Sequence, residues 1–398
     1  MRILERTILH AGVPGTPRAV ATFPAFLTLS DGSLLASYSV GSGKDTDDLD
    51  IELRRSTDGG TTWSEPVRPF ETAVDGRRGA LKAAPITRLD GQRLIVVALW
   101  IDREAYPGQP LFNPVTEGCL PMRILVADSF DDGHTWTPWR TVPMPDDVGP
   151  PSLTNALVRL ADGRLLLSVE TNKTYLDSSK WFQRVVHSWS SDDGQTWTEP
   201  VTVCQDPTGR IGNWDQRKAV APDGRLLTVT WVYDFEAVEY LNVRRRISTD
   251  GGATLSEPDD LGFADQPSHP AILPDGRVVL AWQDRFGSAS IRARQAAAID
   301  APFEAASEVT LYSLRDEVAA GTSAPAGDAA AAGDAGAAGA SGDSETETTG
   351  DALIEQGTWS YGLSYAEALP DGTVGVVHYA GGPRGGTDIR WIRLQLDA

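Results

Sequence analysis

Residues 56–63 read Ser-Thr-Asp-Gly-Gly-Thr-Thr-Trp, and the pattern Ser-x-Asp-x-Gly-x-Thr-Trp returns at 129–136 and 190–197. A fourth copy at 248–255 ends in leucine instead of tryptophan. The copies begin 73, 61 and 58 residues apart. This period is too long for the unit of a helical solenoid and fits a four-stranded sheet with its loops. The repeat therefore predicts a radial array of β-sheets.

Each octet has the composition of a tight turn. Its aspartate can accept hydrogen bonds from nearby backbone N–H groups, and its glycine can adopt a positive φ. The closing tryptophan covers the turn with a large apolar face. A catalytic group has no reason to recur in every sheet, whereas a turn does. We therefore interpret Asp58, Asp131, Asp192 and Asp250 as structural and exclude them from the candidate site.

A second repeat predicts the number of sheets. Asp-Gly turns between apolar runs occur six times, and a strand rich in β-branched residues or leucine follows each turn. We predict an all-β fold, a six-bladed β-propeller of four-stranded antiparallel blades that forms a single domain over residues 1–398. The six turns are Asp31-Gly32, Asp90-Gly91, Asp162-Gly163, Asp223-Gly224, Asp275-Gly276 and Asp371-Gly372.

The long interval between the last two turns contains a low-complexity stretch. Residues 319–350 are rich in Ala, Gly, Ser and Thr and include no aromatic and no basic residue. Such a composition buries too little apolar surface to offset its ordering entropy. We therefore predict a disordered insert within the later blades.

The chain resembles the sialidase (neuraminidase) superfamily, whose six-bladed propellers carry such repeats, called Asp boxes. The first octet with Leu53-Arg54-Arg55 before it reads like the family's first blade, and Leu369-Pro370-Asp371-Gly372 reads like its last. The likeness covers nearly the whole chain outside the insert. It implies an exo-acting glycoside hydrolase of the exo-α-sialidase type with a glycan substrate. Sialidases open with Arg-Ile-Pro, whose arginine binds the sugar carboxylate, but residues 22–24 here read Thr-Phe-Pro.

Composition argues against several classes of partner. The formal net charge of −20 disfavours nucleic acid, which needs a basic surface. No apolar run is long enough to span a membrane, and Met1 to Pro14 lacks an apolar signal core, so we predict a cytoplasmic protein with no membrane partner. Cys119, Cys204 and the five histidines have no metal-ligand spacing, so we expect neither metal nor cofactor. The oligomeric state is not encoded in any pattern we find.

The resemblance implies a catalytic set on one face of the propeller. Sialidases use a tyrosine nucleophile, a glutamate that activates it, and an aspartic acid as acid/base. The first-blade loop should supply the acid/base, which makes Asp47 and Asp45 the candidates. The family glutamate lies in Asn-Glu-x-Gln, and residues 213–216, Asn-Trp-Asp-Gln, nearly match it with Asp215 as the carboxylate. Tyr361 and Tyr365 flank the position expected for the nucleophile.

Candidate binding residues come from a pattern at the strand ends. Residues 100–103, Trp-Ile-Asp-Arg, and 282–285, Trp-Gln-Asp-Arg, each predict an Asp-Arg pair beside a ring that stacks on a sugar. Arg217 adds a third guanidinium group. Alternatively, each arginine pairs with a neighbouring blade and locks the sheets together. The candidates are Trp100, Asp102, Arg103, Arg217, Asp234, Trp282, Asp284 and Arg285, and the same rule places Lys82, Asn155, Glu170 and His269 on this face.

Two other functions stay open on the sequence. The first is a non-catalytic propeller that binds carbohydrate or protein and has lost the arginine triad. The second is a glycosidase for a neutral or uronic sugar that uses the Asp-rich channel. Turnover of an aryl glycoside separates the enzymes from the binding module, because a binding module would hold the sugar without cleaving it.

Overall fold

The computed structural model describes residues 1–264, 266–320, 348–381 and 386–397 of the 398-residue chain. Strands make up nearly all of the regular structure in these ranges. The first ten are β1 (Arg2–His10), β2 (Val20–Thr28), β3 (Leu34–Gly41), β4 (Asp50–Ser56), β5 (Ala73–Val74), β6 (Arg77–Ala83), β7 (Ile86–Arg88), β8 (Leu94–Asp102), β9 (Met122–Ser129) and β10 (Arg140–Thr141).

The middle of the chain continues as short antiparallel strands, interrupted by 3-10 turns at Asp146–Val148 and Ala305–Ser307. These strands are β11 (Ser152–Leu153), β12 (Val158–Arg159), β13 (Leu165–Glu170), β14 (Arg184–Ser190), β15 (Val201–Gln205), β16 (Ile211–Val220), β17 (Leu226–Asp234), β18 (Glu239–Ser248), β19 (Asp259–Ala264), β20 (Ala271–Ile272), β21 (Val278–Asp284), β22 (Ser290–Ala296) and β23 (Val309–Ser313).

Two helices occupy the edges of the predicted insert, whose residues 321–347 lie outside the described part of the chain. The first, α1 (Leu314–Ala319), precedes them, and the second, α2 (Thr349–Gln356), follows them. Thr348 begins α2 with a capping box, because its hydroxyl accepts from the Asp351 amide and the Asp351 carboxylate accepts from the Thr348 amide. Three strands close the chain: β24 (Tyr361–Ala368), β25 (Val374–Gly381) and β26 (Thr387–Gln395).

The strands assemble into an all-β propeller, as the repeats predict. Two sheets are simple four-stranded meanders, β16 to β19 and β20 to β23. A five-stranded sheet has the order β11-β13-β14-β15 with β12 on β13, and a six-stranded sheet has the order β10-β9-β8-β6-β5 with β7 on β8. A seven-stranded sheet, β24-β25-β26-β2-β3-β4 with β1 on β26, joins the two ends of the chain.

The sheet count differs from the prediction of six separate four-stranded blades. In the described residues the hydrogen bonds define five sheets, because β2 and β26 share one parallel pair, Val20 with Thr387. The Thr387 hydroxyl strengthens this junction: it accepts from the Ala21 amide at 2.9 Å and donates to the Ala21 carbonyl at 2.6 Å. The sequence pattern does not reveal such a junction, because its partners lie at opposite ends of the chain.

The central strands of the sheets form the core. Every residue of β8 and of β17 is buried, and so is every residue of β25. Both faces of such a strand pack against neighbouring sheets, so the sequence of β8 reads as an almost unbroken apolar run. Burial of these side chains, at roughly 25 cal/mol per Å² of apolar surface, is the main favourable contribution to folding.

The four octets form one and the same hydrogen-bonded turn. In the third copy the Asp192 carboxylate accepts from the Ser190 hydroxyl at 2.8 Å, the Thr196 amide at 2.8 Å and the Thr196 hydroxyl at 2.6 Å. These bonds, chiefly the one from the Thr196 hydroxyl, lower the pKa of Asp192 to about 2. The other three copies repeat the bonds at Asp58, Asp131 and Asp250.

Asp192→Ala should therefore lower stability without changing the chemistry of the protein. The substitution removes three hydrogen bonds from a solvent-exposed turn, and we expect a loss of ~1 kcal/mol in the free energy of unfolding. Urea denaturation measures the loss, and activity per folded molecule should stay at the wild-type value. Inactivation at unchanged stability would show that this turn takes part in function.

Neither helix in the described part of the chain is long and apolar enough to cross a membrane.

Candidate functional site

Three inner strands carry the same irregularity. The register shifts between Thr22 and Ala25 in β2, between Trp214 and Arg217 in β16, and between Gly362 and Tyr365 in β24. A β-bulge of this kind re-aims one side chain, and such bulges are common beside binding sites. The residues within these shifts that have a positive φ are Phe23 (50°), Asp215 (50°) and Leu363 (48°), and all three line one cavity.

This cavity has a volume of about 130 Å³ and combines charged groups with a large aromatic surface. Three carboxyl groups and two amines line it, and no arginine does among the described residues. A concave, mostly apolar site with a few convergent polar groups is typical of small-ligand binding. The charged groups are Asp45, Glu170, Asp215, Lys44 and Lys82, and the aromatic ones are Phe23, Phe112, Trp181, Trp214, Trp231 and Trp359.

Glu170 ends β13 and lies deep in the cavity wall, with 7% of its surface exposed. The backbone N–H groups of Asp215 and Gln216 lie near its carboxyl group, and Oε1 has no hydrogen-bond partner among the described residues. Burial raises the pKa of Glu170 well above its usual value, and the neighbouring Asp215 charge raises it further. Glu170 therefore keeps its proton to a higher pH than an ordinary glutamate does.

Asp215 is the carboxylate beside Glu170. Its Oδ1 lies 3.4 Å from Nη2 of Arg217, and the side-chain amide of Gln266 donates to its Oδ2. The positive φ of Asp215 is a conformation that aspartate and asparagine tolerate better than most residues. The bulge and these two contacts orient the carboxylate into the cavity.

Asp45 and Lys82 form an ion pair on another wall. The Lys82 ammonium also lies 4.9 Å from the centre of the Phe23 ring. Burial lowers the pKa of Lys82 well below its usual value, and the charges of Lys44 and Arg103 lower it further. This pair presents a donor and an acceptor side by side, an arrangement that suits the hydroxyl groups of a ligand.

Helix α2 covers one side of the cavity. Leu353, Gln356 and Gly357 line it, and the Gln356 side chain donates to the Tyr240 hydroxyl at 3.3 Å. The Lys44 ammonium donates to the Gln356 carbonyl at 2.5 Å, which ties the end of the helix to the first sheet. The site is therefore built from the propeller and from a helix that follows the insert.

The family model for the BNR repeat-like domain matches residues 5–230, more than half of the chain. The chain belongs to the BNR repeat-like domain family. A curated relative, a sialidase of Bacteroides fragilis (strain YCH46), is 24% identical over an alignment of 212 residues that covers 48% of this chain and 36% of the relative. The chain thus spans about a third of the length of the curated relative that it matches. Both findings confirm the resemblance to the sialidase superfamily.

Solved structures share the fold at low sequence identity. A protein of unknown function from Dyadobacter fermentans aligns with a TM-score of 0.71 at 18% identity, over 100% of this chain and 99% of that one. The intramolecular trans-sialidase of Ruminococcus gnavus aligns with a TM-score of 0.61 at 14% identity, over 99% of this chain and 98% of that one. An α-L-arabinanase of Penicillium chrysogenum aligns with a TM-score of 0.63 at 15% identity, over 98% of both chains. The same propeller therefore occurs in proteins named for different sugars.

In this BNR-repeat propeller the three predicted arginines do not meet in one cavity. Arg103 is buried behind the loop of residues 43–48, where it donates to the Asp45 carbonyl at 2.8 Å. Arg217 lines a smaller hollow next to the cavity, with its Nη1 at the Thr154 carbonyl. Arg285 lies under the Trp359 ring, 4.0 Å from its centre. Each guanidinium group supports a wall of the site instead of lining it.

The predicted aspartates at the strand ends hold turns. Asp102, Asp234 and Asp284 each accept backbone amide bonds from residues two to four positions later, and none of them lines the cavity. Turn formation therefore explains why an aspartate is the last residue of the strand in three sheets. Their side-chain partners are Arg77 at 2.7 Å for Asp102, Arg210 at 2.8 Å for Asp234 and the Ser288 hydroxyl at 2.5 Å for Asp284.

The predicted tryptophans pack between sheets. Trp100 is fully buried and donates from Nε1 to the Thr72 carbonyl at 2.7 Å. Trp282 is 3% exposed and stacks on Phe263 at 4.4 Å between ring centres. Neither ring lines the cavity, so a sugar bound there would contact neither of them. The pattern Trp-x-Asp-Arg thus marks the end of a central strand in both sheets.

Asp47 and the two predicted tyrosines lie outside the cavity lining. Asp47 is exposed and faces Arg103 at 3.5 Å. Tyr361 packs against Tyr312 at 5.3 Å, and Tyr365 is stacked on His269 at 4.3 Å and lines the same small hollow as Arg217. Of the predicted catalytic residues, Asp45 and Asp215 are the two that line the cavity.

The aromatic wall was not predicted from the sequence. Trp214 stacks on Tyr233 at 4.6 Å, and Trp231 stacks on Tyr240 at 4.5 Å. Trp359 completes the wall from the segment after α2, 5.7 Å from Trp231. Glu170 and Lys82 were placed on this face by the strand-end rule, but no role was assigned to them. The signal in the sequence that could have identified Glu170 as a site residue is its position as the last residue of a buried strand.

No group of three or more His, Cys, Asp or Glu side chains that could hold a metal ion occurs in the described ranges.

Lys218 lies next to Arg217 on β16 and is fully buried; its ammonium donates to the Ala156 carbonyl at 3.2 Å. Burial, and secondly the charge of Arg217, lowers its pKa from 10.5 to about 7. Between these two values the unfolded chain binds a proton that the folded chain has lost, so stability rises with pH. Lys218→Met should lack this rise, and urea denaturation at several pH values between 7 and 10.5 measures it. Parallel curves for both proteins would contradict the pKa shift.

Proposed function

We propose that this chain is a glycoside hydrolase that removes a sugar from the end of a glycan, with its chemistry between Glu170 and Asp215. The observation that carries the proposal is that the buried Glu170 carboxyl group lines the same cavity as a second carboxyl group, Asp215, and that burial raises the pKa of Glu170. Glycoside hydrolysis generally uses two carboxyl groups whose environments separate their roles.

The roles follow from the environments of the two groups. Glu170 donates its proton to the glycosidic oxygen while the bond from that oxygen to the anomeric carbon breaks. The Asp215 carboxylate, oriented by Arg217 and Gln266, stabilises the positive charge that develops on the sugar ring. Water then adds to the anomeric carbon and returns a proton to Glu170, so the products are a free sugar and the shortened glycan.

Because the cavity is covered on one side, it suits the terminal sugar of a glycan. Leu353, Gln356 and Gly357 at α2 leave room for a terminal sugar and obstruct a chain that would continue in that direction. The aromatic wall supplies an apolar face for the sugar ring, and the Asp45–Lys82 pair supplies hydrogen bonds for its hydroxyl groups. Exo-action on a glycan is the mode of cleavage that these features support.

We infer that the sugar is neutral and not a sialic acid. In the sialidases an arginine of Arg-Ile-Pro binds the carboxylate, whereas this chain has Phe23 in that segment. Leu363 lines the cavity at the place that Tyr361 and Tyr365 flank, so no tyrosine nucleophile stands there among the lining residues. Lys82 is already neutralised by Asp45. These features favour two-carboxyl chemistry over the tyrosine-based mechanism.

We also propose that the seven-stranded sheet counts as two blades. The strands β24, β25, β26 and β1 form one antiparallel set and β2, β3 and β4 form another, with one parallel pair between them. With this division the ring has six blades, in agreement with the six Asp-Gly turns.

A panel of 4-nitrophenyl glycosides tests the proposed function. It should contain neutral pyranosides and furanosides in both anomeric forms, together with the α-sialoside. We expect turnover of at least one neutral member and none of the sialoside. Glu239→Gln replaces an exposed carboxyl group on β18 and should turn over the same members of the panel as the wild-type protein. Turnover of the sialoside would favour the sialidase mechanism, and binding without turnover of any member would favour the non-catalytic module.

A further inference from the structure

A groove runs beside the cavity. It has a volume of about 400 Å³ and lies between the loop of residues 171–182 and the 3-10 turn Asp146–Val148. Two residues of its lining, Asn172 and Trp181, also line the cavity. The two spaces are therefore neighbours that share these two side chains in their walls.

The walls of the groove are fixed by side-chain hydrogen bonds. Asn172 donates to the Pro150 carbonyl at 2.8 Å and to the Ser152 hydroxyl at 2.9 Å, which ties the loop to β11. Trp181 donates from its indole N–H to the Thr171 carbonyl at 3.2 Å, and the Lys173 ammonium donates to the Ser179 carbonyl at 2.9 Å. A loop held in this way loses little conformational freedom when a ligand binds.

Phe182 presents an exposed aromatic ring in this groove. Its surface is 47% exposed, and the ring packs on Gly209, where a Cβ atom would come within 2.9 Å of it. The adjacent Trp181 ring packs against Phe235 at 5.2 Å and continues the aromatic wall of the cavity. Aromatic faces bind the C–H face of a sugar ring through apolar contact and the ring quadrupole. The groove thus adds an exposed aromatic ring to a lining that is otherwise mostly polar or charged.

The charges of the groove are balanced. Its cations are each paired with an acid: Lys173 with Glu117 at 3.2 Å, Lys180 with Glu236 at 3.7 Å and Arg184 with Asp147 at 2.9 Å. Asp146 and Asp177 add two further carboxyl groups to the lining. An anionic sugar would meet these acids without an uncompensated cation, whereas a neutral sugar meets hydroxyl, amide and aromatic groups.

We infer that the groove is a second sugar subsite, which takes an uncharged sugar unit linked to the one in the cavity. The inference rests on the proposed function, because the groove is useful to this protein only if the cavity holds the terminal sugar. The substrate of this protein is then a neutral oligosaccharide of at least two units. Phe182 and Trp181 act as its binding platform.

The test is binding of the intact protein to a printed array of neutral and acidic oligosaccharides, combined with turnover of the aryl glycosides. Phe182→Ala removes the platform and should lower apparent affinity for neutral oligosaccharides about tenfold, with no change in turnover of aryl monosaccharides. Ser179→Trp, a second exposed position, should block the groove with the same result. The matched control is Phe130→Ala, because Phe130 is 63% exposed and lines neither space.

The outcomes of these experiments distinguish failure of the subsite from failure of the proposed function. Loss of oligosaccharide binding in both groove variants and not in the control supports the subsite. Wild-type binding in both groove variants overturns it and leaves the proposed function intact, since aryl glycoside turnover does not require the groove. Preferred binding of acidic oligosaccharides also overturns it. If the wild-type protein binds no glycan and cleaves no glycoside, the subsite and the proposed function fall together.

Discussion

Glu170→Gln is expected to lower kcat on a 4-nitrophenyl glycoside by roughly 10²- to 10⁴-fold, the range for loss of a general acid. Glutamine keeps the size of the side chain and its acceptor oxygen but carries no transferable proton. The effect should be far smaller on a 2,4-dinitrophenyl glycoside, because that leaving group departs without protonation. A comparison of kcat on the two substrates measures the role of the proton directly.

The same variant has a defined effect on stability. The pKa of Glu170 is raised in the folded state, so its contribution to stability is fully present below the unfolded value of 4.5 and is lost as pH rises through the folded value. Glu170→Gln lacks this loss and should gain stability relative to wild type as pH rises. Equal loss of turnover on both aryl substrates, or a pH-independent difference in stability, would contradict the assigned role.

Asp215→Asn is expected to lower kcat on the order of 10²- to 10³-fold, as expected for removal of a positioned electrostatic group. Asparagine tolerates the positive φ of this bulge, so the backbone should keep its shape. Substrate affinity should change much less than kcat, because the aromatic wall and the Asp45–Lys82 pair remain. Steady-state kinetics with the best aryl glycoside separates kcat from KM.

Asp234→Asn is the matched control for Asp215. It is also an aspartate of the same sheet, at the end of β17, but it holds a turn and pairs with Arg210 at 2.8 Å outside the cavity. We expect it to change stability slightly and to leave kcat at the wild-type value. Similar losses of kcat in both variants would show that the effect at Asp215 is not specific to the cavity.

The fold could be predicted because its signals are local. The turns at Asp58, Asp131, Asp192 and Asp250 form from residues within one octet, so the sequence contains every partner of their hydrogen bonds. The unbroken apolar run of β8 likewise shows its burial directly. The single pair between Val20 and Thr387 is not local, and it is this pair that merges the expected first and last sheets.

The site could be predicted only in part, because it depends on contacts between distant segments. Asp215 was found from a near match at residues 213–216, and Asp45 from its place in the first loop. Arg103 and Arg285 have the right position in the chain, but packing buries them behind Asp45 and Trp359. The side chains that follow a strand are constrained first by the turn, and sequence spacing does not show which of them remain available to a ligand.

The contribution of α2 was the hardest part to foresee. Residues 319–350 have a composition without core-forming side chains, yet Leu353 and Trp359, which follow directly, are 4% and 6% exposed. Their burial depends on Trp231, more than a hundred residues earlier in the chain, and both belong to its aromatic cluster. Neither periodicity nor a turn signal connects these segments, so only the assembled structure shows that a helix covers the cavity.

The central claim is that the sugar is bound and cleaved between Glu170 and Asp215, and a crystal structure of Asp215→Asn with the best substrate tests it most directly. We expect the terminal ring against Trp214 and Trp359, with the glycosidic oxygen about 3 Å from the Glu170 carboxyl group. A substrate bound on the outer rim, or in the cavity with its glycosidic oxygen turned away from Glu170, would contradict the account.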